Sequence, residues 1–185
     1  MLFLSAPLHP PKTTPYELII EPKMSFGTGH HQTTRLMITQ VLEIGIGGKS
    51  VLDMGCGTGI LGILAAHLGA KSVLAVDIEP WCVENTLENA EQNQCHHVIE
   101  AIRGDIDRVA EFVDLIFANI NRNTLIRHIP HYAKRLQREG ILLLSGFYQT
   151  DLLSITQECK ANGLIFHSNT QLDDWVCAKY VYSGL

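Results

Sequence analysis

The sequence of 185 residues contains no apolar run long enough to span a membrane. A transmembrane helix needs about 20 consecutive apolar residues. The apolar residues 1–4 have no basic residues before them and are followed almost at once by Pro7, which is unlike a secretory signal peptide. We therefore expect a soluble protein with no membrane contact, and the cytoplasm is the default location.

Paired cysteines are missing as well. The sequence has five cysteines, with no CxxC pair and no spacing typical of zinc sites. They are Cys56, Cys82, Cys95, Cys159 and Cys177. This pattern predicts free thiols in a reducing compartment and no metal site.

Positive charge is sparse. Lysine and arginine together number 14 against 19 acidic residues, for a net charge of −5, and the basic residues form no stripe. Strong autonomous binding to a phosphate backbone is therefore not expected. An acidic balance is compatible with a basic protein substrate without demonstrating one.

What the sequence does contain is a regular alternation of apolar strands and helices, in a length that suits one domain. Strands are predicted at 50–54, 72–76, 97–103, 114–119, 140–146, 165–172 and 175–182. Helices are predicted at 32–44, 60–68, 80–93, 123–136 with an interruption at Pro130, and 150–162. Only two residues separate the last two strands, so these must be antiparallel. The pattern predicts an α/β fold of three layers around a mostly parallel, seven-stranded sheet with an antiparallel C-terminal hairpin.

The first fifteen residues are rich in proline and read as an extended connector that leads into a short strand at 16–21. Either this connector packs on the domain, or it joins the domain to an upstream one that the chain does not include, and we favour the second. The predicted organisation is a linker with a short strand at 1–22 and one catalytic domain at 23–185.

A glycine-rich turn follows the strand at 50–54. Gly57, Gly59 and Gly62 satisfy the GxGxxG spacing, and Asp77 comes 20 residues after Gly57, as a ribose-binding acid would. This much permits a dinucleotide such as NAD. However, Asp53 at the end of the strand would repel a pyrophosphate and attract an ammonium or sulfonium group. S-adenosylmethionine carries both cations and no phosphate, and it is the predicted ligand.

Four polar residues end successive strands and are expected to meet in one crevice at the carboxyl edge of the sheet. Asp53 would face the charged end of the ligand, Asp77 the ribose diol, Asp105 the adenine amine, and Asn119 the reacting centre. Simpler roles remain open: Asp53 and Asp77 as helix caps, Asp105 as a turn residue and Asn119 as a strand-end cap.

The motif VLDxGxGxG at 51–59 resembles the first motif of class I S-adenosylmethionine-dependent methyltransferases. Three further stretches are similar to the methyltransferases of ribosomal large-subunit protein eleven: PKMSFGTGHHQTT at 22–34, FANI at 117–120, and DW at 174–175. The block FGTG-H-x-TT is specific to that family. The chain departs from many members, which have Thr-His in place of His30-His31 and proline in place of Gln32.

The resemblance implies a Rossmann-like methyltransferase fold and S-adenosylmethionine as the cofactor, with S-adenosylhomocysteine as the product. It implies methyl transfer to amino groups of a ribosomal large-subunit protein, namely lysine side chains, with the N-terminal amine as a further candidate. It assigns Asn119 a catalytic place beside the methyl acceptor. The residues expected around the cofactor are Thr28, Thr34, Asp53, Gly55, Gly57, Gly59, Asp77, Ile78, Asp105 and Asn119. Family members also carry an N-terminal substrate-recognition domain joined by a flexible linker.

The segment from Asn119 to Asn121 lacks the prolines and the aromatic residue of the Asn-Pro-Pro-Tyr motif in amide and adenine methyltransferases, which favours an aliphatic amine as acceptor. His30 or His31 could relay a proton, although both fit ordinary loop positions. Two alternatives stay open: a methyltransferase with a different protein or small-molecule acceptor, and a non-catalytic nucleotide-binding module. A monomer with no direct nucleic-acid contact is expected.

Overall fold

The computed structural model describes residues 2–5, 16–27 and 29–184. Its strands are β1 Leu2–Ser5, β2 Tyr16–Ile19, β3 Ser50–Met54, β4 Ser72–Asp77, β5 Ile99–Arg103, β6 Val113–Asn119, β7 Leu136–Tyr148, β8 Leu164–Leu172 and β9 Trp175–Tyr182. Its helices are α1 Gln32–Glu43, α2 Ile60–His67, α3 Pro80–Gln92, α4 Arg122–Arg135 and α5 Leu152–Ala161, with short 3-10 turns at Ile106–Arg108 and Gln149–Asp151.

Seven strands form one sheet in the order β5-β4-β3-β6-β7-β9-β8. The first five of these are parallel, whereas β9 pairs antiparallel with both β7 and β8. The predicted seven-stranded, mostly parallel sheet with an antiparallel C-terminal hairpin is therefore confirmed. The chain runs outward from β3 in one direction through β4 and β5, then crosses to β6 on the other side. A ligand crevice is expected at this switch point, outside the carboxyl ends of the strands.

Alternate residues of each strand face opposite layers, as the period of two requires. Val51 belongs to the core cluster that also contains Ile63 of α2, together with residues of α1 and α3. Its neighbour Leu52 belongs to the cluster that contains Ile129 of α4, together with residues of α5. The sheet is thus covered on both faces, and this is why its central strands read as continuous apolar runs.

The predicted interruption of the fourth helix at Pro130 was wrong. Helix α4 runs without a break from Arg122 to Arg135 and contains Pro130 in its interior. A proline there removes one backbone hydrogen bond and crowds the preceding turn, at a cost of about 3 kcal/mol. Burial of Leu125, Ile129 and Tyr132 on the face toward the sheet offsets this cost.

Two strand starts differ from the prediction by two residues or more. Strand β5 begins at Ile99, because the residues predicted to open it at 97–98 form a turn. Strand β7 begins at Leu136, four residues before the predicted 140–146. Leu136 pairs with Val113 and Ile141 with Leu115, so the polar residues between Leu136 and Ile141 form an irregularity in the ladder. The apolar pattern used for the prediction resumes only after this irregularity.

Near the N-terminus, β1 and β2 form a small parallel sheet, and β1 was not predicted. Three buried asparagines on one face of α3 and at its C-terminal end bind the last residue of β2 and the segment after it. Asn93 accepts from the backbone N–H of Ile19 at 2.9 Å and donates to its carbonyl at 2.7 Å. Asn89 accepts from the N–H of Glu21 at 3.0 Å, and Asn85 donates to its carbonyl at 2.9 Å. Residues 19–21 therefore pack on the domain, whereas an upstream domain stays a prediction.

Candidate functional site

Other segments of the chain pack closely against the glycine turn between β3 and α2. Gly57 and Gly59 have φ angles of 56° and 79°, which side chains with a Cβ rarely adopt. A Cβ on Gly57 would overlap the carbonyl oxygen of Phe26, and one on Gly59 would lie 2.7 Å from Cγ2 of Thr86. The same Phe26 carbonyl accepts from the N–H of Thr58 at 3.0 Å. The glycines thus allow the segment before α1 to lie across the turn.

Asp53 lies behind this turn and is only 2 % exposed. Its Oδ2 accepts from the backbone N–H of Gly62, in the first turn of α2, at 2.9 Å. Burial is the main cause that raises the pKa of Asp53 to about 7, while the Gly62 hydrogen bond opposes the rise and Asp77 adds to it. Of the two roles open to Asp53, the bond to the helix is observed, and contact with a cationic ligand stays a prediction.

The raised pKa predicts a dependence of stability on pH. Because the folded-state pKa lies above the ordinary 3.8, the folded protein binds more protons than the unfolded one between about pH 4 and 7. The contribution of Asp53 to the free energy of unfolding should therefore fall as pH rises through that window. Asp53→Asn keeps an acceptor for Gly62 and removes the titration. Urea titrations at pH 5 and 7.5 measure this effect. Between the two pH values, we expect the free energy of unfolding of the variant to rise by a few kcal/mol relative to that of the unaltered protein. A pH-independent difference would contradict this assignment.

The main pocket lies at the carboxyl edge of the sheet and has a volume of about 450 Å³. Asp77 ends β4 in its wall, with Oδ2 accepting from the N–H of Gly57 and Oδ1 from the N–H of Glu79, each at 3.0 Å. A carboxylate has about four lone-pair positions, so Asp77 can hold the turn and still accept from a ligand. Six predicted site residues line this pocket: Gly55, Gly57, Asp77, Ile78, Asp105 and Asn119.

Asp105 follows β5 and has a side chain 42 % exposed toward the pocket. Its Oδ1 accepts from the N–H of Ile106 at 2.7 Å, which caps the following 3-10 turn. The same oxygen lies 3.1 Å from Nε2 of His128. The turn role left open for Asp105 is therefore observed, and its position in the pocket wall is also compatible with contact to a ligand.

Asn119 ends β6 between the main pocket and a second one of about 270 Å³. Its Nδ2 donates to Oγ1 of Thr34 at 3.5 Å. Its Oδ1 is buried and has no hydrogen-bond partner among the described residues. A buried amide oxygen is costly to leave unpaired, so this acceptor is a candidate contact for a ligand. Thr34 and Asp53 line a small cavity of about 20 Å³ beside Asn119.

Aromatic rings form one wall of the second pocket. The ring of His31 lies 5.2 Å from those of Phe26 and Trp175, both in edge-to-face arrangements. The ring of Tyr148 lies 4.2 Å from that of Trp175. His31 is also the N-cap of α1, since its Nδ1 accepts from the N–H of Thr33 at 3.3 Å. This cap supports the structural role of His31 over a proton relay through that nitrogen.

One predicted site residue is not described by the structure, and two residues of the pocket wall were not predicted. Thr28 lies outside the described residues, so its predicted cofactor contact stays a prediction. His128 and Trp81 line the main pocket and were not predicted. His128 falls in the apolar stripe of α4 between Leu125 and Ile129, where a polar residue was the one available signal.

Metal and thiol chemistry have little support in the part of the chain that the structure describes. No cluster of three or more histidine, cysteine or acidic side chains suited to a metal is found there. All five cysteines are buried and free. Burial raises the pKa of the Cys56 thiol, so the cysteine inside the glycine turn stays protonated. No described helix has the length and apolarity to cross a membrane.

A larger cleft, of about 700 Å³, lies at the opposite edge of the sheet. It is lined by the amino ends of β3 and β4 and contains Lys71, Glu100 and Asp114. Asp114 accepts there from the N–H and the hydroxyl of Ser50 at 2.8 and 2.7 Å, which ties β6 to β3. Size alone would favour this cleft, but ligands of open α/β sheets bind at the carboxyl ends, where the unpaired Asn119 oxygen also lies.

Sequence comparison gives one family for most of the chain. The family model of ribosomal protein L11 methyltransferase (PrmA) matches residues 3–182. The ribosomal protein L11 methyltransferase of Porphyromonas gingivalis is 47 % identical over 178 residues, covering 95 % of this chain and 61 % of the relative. That of Phocaeicola vulgatus is 42 % identical over 172 residues, covering 92 % and 61 %. The chain thus spans about three-fifths of the length of these curated relatives.

Solved structures agree with this result. A ribosomal protein L11 methylase from Lactobacillus delbrueckii subsp. bulgaricus superposes with a TM-score of 0.90 at 28 % identity, covering 99 % of this chain and 95 % of that one. The N-methyltransferase NodS from Bradyrhizobium japonicum superposes with a TM-score of 0.66 at 16 % identity, covering 84 % and 99 %, which shows the shared fold alone. The chain belongs to the ribosomal protein L11 methyltransferase family.

Proposed function

We propose that this protein transfers methyl groups from S-adenosylmethionine to amino groups of ribosomal protein L11, on lysine side chains, with the N-terminal amine as a further candidate. The observation that carries the proposal is the unpaired, buried Oδ1 of Asn119 between two pockets. One pocket suits a nucleoside and the other an extended side chain. The names of the relatives supply the substrate. We further propose a cytoplasmic monomer that acts without direct nucleic-acid contact and draws on a recognition domain beyond these residues.

The residues present fit the proposed cofactor. When bound, the cofactor supplies an electrophilic methyl group on a positively charged sulfur. Asp77 would accept from the ribose hydroxyls with the lone pairs that Gly57 and Glu79 leave free. Asp105 would accept from the adenine amine, and the half-exposed side chain of Ile78 would cover the nucleoside. Asp53, which shares a small cavity with Thr34, would in its ionised form favour the cationic end of the cofactor, and Thr28 is a further expected contact.

Asn119 would align the methyl acceptor. Its Oδ1 accepts a hydrogen bond from the incoming free amine, which turns the nitrogen lone pair toward the main pocket. Asn119 would thereby hold the nitrogen in line with the methyl group that the bound cofactor would supply as electrophile, and the proton of the amine would pass to water. Charge is dispersed in methyl transfer, so alignment of the reacting groups is the main contribution of the protein. Alignment can lower the activation free energy by several kcal/mol. The aromatic wall with Trp175 and Phe26 would enclose the aliphatic stem of a lysine.

Calorimetry with S-adenosylhomocysteine tests the cofactor assignment, and methyl transfer to purified ribosomal protein L11 tests the substrate. We expect saturable binding of S-adenosylhomocysteine and none of NADH. Preference for NADH would support the alternative of a nucleotide-binding module. Binding without transfer, even when the chain is extended to the full length of its relatives, would contradict L11 as the acceptor.

Replacement of Asp77 should weaken cofactor binding. Asp77→Ala removes two backbone contacts and the proposed ribose contact, and hydrogen bonds to a charged group are worth about 1.5–3 kcal/mol each. We expect the dissociation constant for S-adenosylhomocysteine to rise about 10- to 100-fold. Asp107→Ala, which removes an exposed carboxylate beside the site, is the matched control and should leave affinity unchanged. Equal affinities for the Asp77→Ala variant and this control would remove Asp77 from the site.

A further inference from the structure

A buried histidine in the wall of the main pocket has no part in the function proposed so far. His128 is 3 % exposed, yet it lines the pocket next to Asp105. Its Nδ1 lies 3.2 Å from the hydroxyl of Tyr132, one helical turn later, and Tyr132 is fully buried. Its Nε2 lies 3.1 Å from Oδ1 of Asp105. The imidazole therefore links the helix interior to a carboxylate at the pocket surface.

The partners set the tautomer of this ring. An ionised carboxylate can only accept, so the proton of a neutral His128 ring lies on Nε2, which is 3.1 Å from Oδ1 of Asp105. In a neutral ring Nδ1 is then the acceptor, and the Tyr132 hydroxyl donates to it. Burial lowers the pKa of His128, as do the charges of Arg127 and His131, while Asp105 opposes them. Burial also raises the pKa of the Tyr132 hydroxyl, which keeps its proton for the bond.

The consequence lies in the orientation of the Asp105 carboxylate. Oδ1 accepts a hydrogen bond from the N–H of Ile106 and lies 3.1 Å from Nε2 of His128, whereas Oδ2 has no such contact among the described residues. The terminal torsion of an aspartate is broad and roughly two-fold when it is not held. One hydrogen bond and one close imidazole N–H at the same oxygen hold this torsion in one state. Oδ2 is thereby left as the acceptor available to the pocket.

We propose that His128 is a positioning residue for adenine recognition, acting through Asp105. This inference rests on the proposed function, because it needs the adenine amine to meet Asp105. A held carboxylate accepts well from that amine and opposes the carbonyl oxygen of a deaminated base. A carboxylate free to turn could instead accept from the ring N–H of the deaminated base. His128 would thus contribute to selectivity as well as to affinity.

The test compares S-adenosylhomocysteine with S-inosylhomocysteine, in which a carbonyl replaces the amine. Calorimetry on the 185-residue chain gives the ratio of the two dissociation constants. We expect the unaltered protein to prefer the adenosyl compound about 10- to 100-fold. His128→Leu should reduce this preference at least about fivefold. His128→Gln, which places an amide donor near the position of Nε2, should restore most of it, and His131→Gln on the exposed face of the same helix should match the unaltered protein.

If His128 has only a structural role, His128→Leu will weaken the binding of both compounds equally. The ratio of the two dissociation constants will then be unchanged, which would overturn the inference. Equal affinity of the unaltered protein for both compounds would also overturn it while leaving the proposed function intact. Binding of neither compound would mean failure of the proposed function itself. If His128→Leu does not fold, Tyr132→Phe serves instead, since it removes the hydrogen bond that holds the imidazole at Nδ1 but keeps the buried ring. Its ratio should fall in the same direction, and an unchanged ratio would count against the inference.

Discussion

Asn119→Ala is expected to lower kcat for methyl transfer about 100-fold while changing the affinity for S-adenosylhomocysteine only a few-fold. The physical reason is the unpaired Oδ1 between the two pockets, which is the one contact proposed to orient the amine. Without it, the nitrogen lone pair is free to point away from the methyl carbon. Single-turnover transfer to ribosomal protein L11, measured beside calorimetry, separates the chemical step from cofactor binding.

Two variants make this result specific. Asn169→Ala changes an exposed asparagine on β8, far along the sheet, and should leave both measurements unchanged. Thr34→Val removes the hydroxyl that receives the Asn119 amide at 3.5 Å and should lower kcat by a smaller factor. If kcat in the Asn119→Ala variant falls less than about fivefold, the amide oxygen does not position the acceptor.

Gly57→Ala is expected to lower the free energy of unfolding by about 2 kcal/mol or more. It should also weaken the binding of S-adenosylhomocysteine at least about tenfold. The φ of 56° at this position disfavours a residue with a Cβ. The added methyl would also overlap the carbonyl oxygen of Phe26, a backbone atom that cannot turn aside. The turn must therefore shift, and the N–H that Gly57 donates to Asp77 moves with it.

Gly45→Ala is the matched control for this substitution, because a Cβ there has no neighbour within 4 Å and the residue is not in the left-handed region. It should leave stability and affinity within experimental error or raise stability slightly. Both quantities are obtained from urea denaturation with and without ligand. Full stability and affinity in the Gly57→Ala variant would show that the segment before α1 does not lie across the turn as described.

Much of the fold was readable because local signals and tertiary structure agree. The apolar runs gave the seven strands of the main sheet, and the two-residue link between β8 and β9 made their antiparallel pairing unavoidable. The predictions failed where burial overrode a local preference. Pro130 sits inside a continuous helix because the sheet covers the apolar face of α4. The irregularity before Ile141 depends on pairing with β6, which no local pattern records.

The candidate site divides in the same way. The sequence by itself determined which residues meet at the carboxyl edge, because strand ends carry Asp77, Asp105 and Asn119 there whatever the details of packing. The charge of Asp53 likewise predicted a cationic ligand rather than a phosphate, from residue type alone.

Only the tertiary structure decided what each of these groups contacts. The backbone carbonyl of Phe26 packs against Gly57, where a Cβ would overlap it. Asp53 accepts from the N–H of Gly62, and Asp105 lies beside His128 of α4. These partners are separated along the chain, and their hydrogen bonds depend on distances and orientations that residue spacing does not contain. The sequence therefore determined the position of the candidate site, whereas three-dimensional packing determined which of its oxygen atoms are left without a partner among the described residues.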